Sequence, residues 1–424
     1  MHSTLKGLLK LKNKLESQLI FSYMKGNLIE ALKNGNWVLL DEINLAEVEV
    51  LQKLMPIFEG ESLILVERGK IEEVPKHKDF RIFACMNPGN DVARKELPDN
   101  INNKFVEIYV RELEKAEELI HIVEKLCLGH INSESVDRIV RLYLRIRNLC
   151  SQNLLQDGFG RTPQFSLRTL VRACHMLTTA IKLYGNSGPA KLRGLYDALI
   201  SAFGCGLSKN SKKSLNDIFI EIFTYGTEAE IYGYYTSLAG TSNQDSKMIK
   251  VRGFMLPCAE NVDPEDVKAI DDTDYLITGK IEKNLIELLR VVSHSDYPIL
   301  LEGPTSCGKT AVVHFLGEIT GNKVVRINNH QHTDLEEYIG TYCPDQKGKL
   351  VFREGLLVEA MRNGYWLILD ELNLAKSEIL EALNRVLDDN RELFVPEINV
   401  LVKPHRNFRV FATQNPISYS GRKA

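Results

Sequence analysis

Apolar positions along this chain follow two rhythms. Near both ends they form short, nearly continuous runs: WVLLD (Trp37 to Asp41), FRIFAC (Phe80 to Cys85), YPILLE (Tyr297 to Glu302), WLILD (Trp366 to Asp370) and FRVFAT (Phe408 to Thr413). WVLLD and WLILD, continuous and ending in an acid, predict central strands of a parallel sheet covered on both faces, FRIFAC and FRVFAT further buried strands, and YPILLE a short strand. From about Arg111 to Ile270 the rhythm becomes helical. RELEKAEELIHIVEKL and DRIVRLYLRIRNL repeat their apolar positions at three- and four-residue spacing and carry many charges, as amphipathic helices do. Inside this stretch SKNSKKS (Ser208 to Ser214) is polar and Ser/Lys-rich and reads as a loop. YPILLE runs into a Gly-rich turn, and a helix is expected from Lys309 onward. The expected fold class is α/β, with parallel-sheet cores of the P-loop type at the two ends and an α-helical subdomain between them.

The end segments repeat one another. NGNWVLLDEINLA (Asn34 to Ala46) matches NGYWLILDELNLA (Asn363 to Ala375), which sets Asp41 and Asp370 329 positions apart; FACMNP and FATQNP set Asn87 and Asn415 328 apart. That period is far beyond the roughly 50 residues of solenoid repeats, so two whole modules in tandem are expected. In this register the loop before Lys309 has its counterpart ahead of residue 1, and the second copy stops at Ala424, shortly after its Asn-Pro. The expectation is therefore three parts: residues 1–110 as the later part of a first core, 111–270 as helical lid and linker, and 271–424 as the front of a second core.

The turn is where the chemistry starts. Gly303, Pro304, Thr305, Ser306, Cys307, Gly308, Lys309 and Thr310 spell GPTSCGKT, which satisfies G-x-x-x-x-G-K-[ST]. Gly303 and Gly308 let the backbone curl so that its N–H groups face an anion at a helix N-terminus. Lys309 then supplies charge to the β and γ phosphates of ATP, and Thr310 offers a hydroxyl to Mg²⁺. Asp370 and Glu371 close an apolar strand, at the end where ligands bind in open α/β sheets. Asp370 is placed to hold the magnesium and Glu371 to orient or deprotonate an attacking water; Asp41 and Glu42 occupy those positions in the first copy. Asn415 and Asn87 follow apolar strands, and an amide there can bond both a phosphate oxygen and water. His330 and His332 lack further ligands at metal-binding spacing and read as structural. Trp37 and Trp366 read as core or sheet-edge packing.

Bulk properties narrow the class. A net charge of −3 gives no general attraction to nucleic acid or anionic membrane, and no direct nucleic-acid motif stands out. The eight cysteines contain no C-x-x-C pair, so neither zinc site nor disulfide framework is suggested and a reducing compartment fits. The opening residues, with lysines distributed through them, read as neither signal peptide nor membrane span.

Together these motifs resemble the AAA+ superfamily: GPTSCGKT looks like its Walker A motif, LILDE and VLLDE like Walker B, and the Asn-Pro strands like sensor 1. RINNHQHTDLEEYIGTY, LDELNLAKSEILEALNRVLDDNRELFVPE, FATQNP with SGRK, and DVARKELPDNINNKFVEIYVRE are similar to the midasin family, giant dynein-related ATPases with six AAA modules in one polypeptide. That resemblance implies ATP-driven remodelling by a nuclear chaperone that releases assembly factors from pre-ribosomal large-subunit particles, in nucleolus and nucleoplasm. It implies neighbouring AAA+ modules as partners and ATP with Mg²⁺ as cofactors. FSLRTLVRA looks like sensor 2, which makes Arg168 a γ-phosphate contact. The chain departs from the family in INNKF, where Asn102 and Lys104 stand at positions that usually carry arginines, one of them a finger reaching the neighbouring nucleotide. Two other readings stay open here: another AAA+ machine of MoxR or dynein-like type, and a nucleotide-holding module that does not hydrolyse.

Overall fold

The computed structural model describes residues 25–65, 71–87, 97–127, 129–185, 188–223, 248–260, 262, 273–346 and 348–416. The opening segment read against a signal peptide and the SGRK of the family resemblance lie outside them. The chain forms two compact units, Met1–Glu112 and Leu113–Ala424, so the expected lid and the second core share one unit.

The first unit carries α1 (Asn27–Asn34), β1 (Trp37–Leu40), α2 (Val48–Glu59), β2 (Leu63–Leu65), β3 (Glu72–Val74), β4 (Arg81–Ala84) and α3 (Asp99–Asn102). β1 and β4 pair in parallel with Trp37 opposite Arg81, and β2 with β3 makes a small antiparallel hairpin. Ala31, Leu32, Ile57, Val74 and Phe80 form its main core. The expectation of strands buried on both faces fails here. β1 and β4 alternate between half-buried and exposed residues, and Trp37 is 71% exposed. The same apolar wording in the second unit is fully buried, because burial is set by how many strands and helices flank the strand and not by its own sequence.

The second unit begins with helices α4 (Ala116–Leu126), α5 (Ser133–Ser151), α6 (Leu167–Tyr184), α7 (Gly188–Phe203) and α8 (Lys209–Phe223). α5 shows why they form: Asn132 caps its N-terminus by accepting from the Ser135 N–H at 3.2 Å, and Val136, Ile139, Val140, Tyr143 and Ile146 bury one face. The SKNSKKS loop expectation is overturned, since α8 runs through most of it. Ser208 starts that turn by accepting the Ser211 N–H, and Leu215, Phe219 and Phe223 supply a buried stripe that decides the conformation of the polar residues before it. A hairpin of β5 (Met248–Val251) and β6 (Phe254–Pro257) follows, which the helical reading did not anticipate.

The second core then comprises α9 (Gly279–His294), β7 (Ile299–Glu302), α10 (Lys309–Thr320), β8 (Val324–Asn328), α11 (Leu335–Ile339), β9 (Gly340–Pro344), β10 (Leu350–Glu354), α12 (Leu356–Asn363), β11 (Trp366–Asp370), α13 (Ser377–Leu387), β12 (Leu393–Val395), β13 (Val400–Val402) and β14 (Arg409–Gln414). β7, β14, β11 and β8 lie side by side in that order, all parallel, while β9–β10 and β12–β13 are antiparallel hairpins. Every residue of β11 is buried. Its side chains alternate between two cores. Trp366 and Ile368 join the cluster that includes the lid helices, α9 and α10, whereas Leu367 and Leu369 join the one beneath α12 and α13. Asp370 therefore projects on the face shared with α10.

Candidate nucleotide site

The loop before α10 turns through two left-handed residues. Gly308 has φ +88°, which favours glycine, and Ser306 has φ +61°; Gly308 is the N-cap of α10. Its curl presents the helix N-terminus beside the carboxyl ends of β7, β14 and β11, the usual ligand crevice of such sheets. Thr310, in the first turn of α10, sets its hydroxyl 3.4 Å from Asp370 Oδ1. Lys309 Nζ donates to the Gly303 and Pro304 carbonyl oxygens at 2.9 and 2.8 Å and to Asn415 Oδ1 at 2.8 Å.

Asn415 connects the two halves of the site. Its amide Nδ2 donates to Glu371 Oε1 at 2.8 Å, so one buried side chain bridges the loop lysine and the acid after β11. Lys309, Thr310, Asp370, Glu371 and Asn415, read separately from the sequence, are thus brought together. Asp370 is nearly buried and fully engaged: Oδ1 accepts from the hydroxyls of Thr310 and Thr413, and Oδ2 from the Arg326 guanidinium. A hydroxyl and a carboxylate oxygen at this spacing are hard oxygen donors of the kind magnesium takes, which keeps most of its water shell and one or two protein ligands.

Glu371 adopts φ +50°, ψ +48°, and Glu42 in the first unit φ +50°, ψ +45°. A left-handed glutamate costs of order 1–3 kcal/mol and aims the side chain out of the strand direction. The same unusual conformation recurs in both copies, at the same place after the acidic end of the strand. A second shared feature follows two residues on: Asn373 Nδ2 donates to the Asn415 carbonyl oxygen at 3.2 Å and Asn44 Nδ2 to that of Asn87 at 3.1 Å. In the first unit Asp41 accepts from the Glu42 N–H at 3.1 Å. The position of Thr413 there is Cys85, which carries no hydroxyl.

Asn373, Thr413 and Arg326 escaped the sequence reading. Asn373 had a signal, its recurrence as Asn44 within the repeated NLA; Thr413 has none because the copies differ, and Arg326 depends on strand pairing. Three further residues singled out in the sequence, Arg168, Lys104 and Asn102, make other contacts. Arg168, in the first turn of α6, pairs with Asp388 at the C-cap of α13 at 3.9 Å, and both are exposed. Lys104, just beyond α3, pairs with Glu59 at the end of α2 at 2.8 Å, and Asn102 ends α3. His332 donates its backbone N–H to His330 Nδ1 at 3.1 Å, and no group of three or more potential metal ligands occurs among the described residues.

This is the geometry of a nucleotide-binding AAA core. Residues 3–105 and 298–424 match the AAA domain of the dynein-related subfamily, and residues 118–226 match the midasin AAA lid domain. The chain belongs to the dynein-related AAA ATPase family. Its similarity to midasin extends along nearly the whole chain: 41% identity over 419 residues with midasin of Dictyostelium discoideum and 35% over 423 residues with that of Giardia intestinalis, covering 97% and 95% of this chain. The chain spans 7% and 8% of the length of those two proteins. An uncharacterized protein of Staphylococcus aureus is 36% identical over 121 residues, 28% of this chain and 46% of its own length. Among the described residues no helix is long and apolar enough to cross a membrane.

Proposed function

We propose that the Lys309 site binds ATP with magnesium and hydrolyses it within a ring of AAA+ modules. The observation that carries this reading is the Asn415 bridge, which holds the loop lysine and Glu371 on one amide, at 2.8 Å each. Gly303 to Thr310 wrap the phosphates with backbone N–H groups, and Lys309 exchanges its loop carbonyls for phosphate oxygens. Thr310 and Asp370 hold the divalent cation, which when bound neutralises phosphate charge. Glu371 takes a proton from the attacking water, and Asn415 orients that water against the γ-phosphate. Asp41, Glu42 and Asn87 serve the same roles in the first copy, and Arg168 is a γ-phosphate contact; an exposed ion pair such as Arg168–Asp388 is weak enough to yield.

The test is single-turnover hydrolysis by a complete ring. Glu371→Gln keeps ATP bound and lowers the chemical step at this site by roughly 10² to 10⁴, the contribution of a positioned general base; an unchanged rate would instead favour a module that only holds nucleotide.

We further propose, as the family resemblance of the sequence implies, a nuclear role in nucleolus and nucleoplasm, remodelling pre-ribosomal large-subunit particles and releasing assembly factors, with neighbouring AAA+ modules of one polypeptide as partners. In that ring the site facing Asn102 and Lys104 turns over slowly, because lysine keeps charge but not the planar fork of an arginine finger, and Glu59 holds its ammonium at 2.8 Å. Lys104→Ala in the ring is expected to change turnover at that site by less than tenfold; a drop approaching the roughly 10³ that a true finger supplies would refute the assignment.

A further inference from the structure

Arg326 has no role in the reading above, yet it sits on the carboxylate that reading assigns to the cation. β8 pairs with β11 so that Arg326 lies opposite Ile368, on the face Ile368 shares with Asp370. From there its side chain reaches forward along the strand direction and donates to Asp370 Oδ2. The two oxygens of Asp370 are thereby divided. Oδ1 is turned toward Thr310, at 3.4 Å, and Thr413, while Oδ2 faces the full positive charge of the Arg326 guanidinium. Asp370 is nearly buried, whereas the Arg326 side chain is 48% exposed, so the guanidinium lies on the solvent side of the pair.

We propose that Arg326 is a positioning residue that moderates the grip of Asp370 on a divalent cation. Two consequences follow from the geometry. By holding Oδ2, the guanidinium fixes the carboxylate rotamer with Oδ1 toward the Thr310 hydroxyl, where the cation would be shared. By placing a positive charge on the same carboxylate, it also repels a divalent ion there and lowers the charge Asp370 presents to it. The partial exposure of Arg326 keeps this repulsion modest, within the range of a solvent-screened ion pair. A site tuned this way binds its metal–nucleotide complex less tightly than the bare donors would allow, which favours release after the reaction. This rests on the assignment of the Lys309 site as a magnesium–nucleotide site.

The test measures binding of a fluorescent ATP analogue to the full chain, once with Mg²⁺ and once with EDTA, and takes the ratio of the two affinities. Arg326→Met is expected to raise that ratio about fivefold, the factor corresponding to about 1 kcal/mol for a partly exposed pair, and Arg326→Lys to leave it near the parent value. Should the methionine variant melt early, Arg326→Gln is read in its place. A role confined to sheet stability would move the melting temperature and not the ratio. An unchanged or reduced ratio in the methionine or glutamine variant, or a lysine variant that shifts as far as methionine, would overturn the proposal alone. If the parent chain binds the analogue with no dependence on Mg²⁺, the site assignment falls together with it.

Discussion

Replacing Lys309 by alanine is expected to weaken ATP binding by this chain about 100-fold, with little change in its melting temperature. A charged donor to a phosphate is worth about 1.5–3 kcal/mol, and each 1.4 kcal/mol is a factor of ten in affinity. The lysine's loss also releases Asn415, whose Oδ1 it holds at 2.8 Å, so a secondary loosening of Glu371 accompanies the first effect. Stability should hold, because the contacts of the lysine ammonium are the loop carbonyls of Gly303 and Pro304, the Cys307 sulfur at 3.9 Å and the Asn415 amide, none of them in the apolar core. Titration calorimetry with ATP and Mg²⁺ measures the loss. Asn415→Ala provides the comparison: it removes the bridge but leaves the phosphate-binding charge, so its binding defect should be much the smaller. Equal affinity in parent and Lys309→Ala would mean that the GPTSCGKT loop is not where the triphosphate sits.

Much of that site was legible because its residues are local in sequence or repeated. GPTSCGKT is a contiguous motif whose glycine at φ +88° and following helix are dictated by its own composition. Asp370 and Glu371 could be found because they end an apolar run and recur at Asp41 and Glu42. The left-handed backbone of both glutamates was not legible, since glutamate has no preference for that region and tertiary context imposes it. Arg326 was likewise hidden: its meaning depends on β8 being hydrogen-bonded to β11 in a particular register, a fact of non-local pairing. Trp37 and Trp366 mark the limit most clearly. They occupy the same place in the same phrase and pack, tilted, against equivalent phenylalanines, with ring centroids 5.2 Å apart in both Trp37–Phe83 and Trp366–Phe411, yet one is 71% exposed and the other 0%. Sequence fixes the local pair; the flanking strands fix whether it is core. Ser208 to Ser214 erred in the other direction, where the buried Leu215, Phe219 and Phe223 just beyond a polar stretch carry it into the helix.

The largest stability effect is expected where the helical part meets the second core. Asp197, on α7, is fully buried between two arginines: Arg290 Nε of α9 donates to its Oδ1 at 2.9 Å, and Arg193, one helical turn earlier, approaches Oδ2 at 3.5 Å. Arg193 also donates to the Gly253 carbonyl oxygen in the β5–β6 turn and lies over the Tyr184 ring, 4.2 Å from its centroid. His294, on α9 beside Tyr184, is held below its usual pKa by burial, although Asp197 opposes that shift. One carboxylate therefore balances two buried guanidinium groups across α7, α9 and the hairpin. Asp197→Ala removes the carboxylate that faces both, and removing one partner of such a network costs about 3–5 kcal/mol. Urea denaturation followed by tryptophan fluorescence, with Trp366 buried in the adjoining core, should show an earlier transition of that size. Asp197→Asn, which retains hydrogen bonding without charge, separates the two contributions: if electrostatic compensation dominates, asparagine is nearly as destabilising as alanine. If alanine costs less than about 1 kcal/mol, the arginines must find other compensation, and the joint between the helical part and the second core would then be held by its apolar contacts alone.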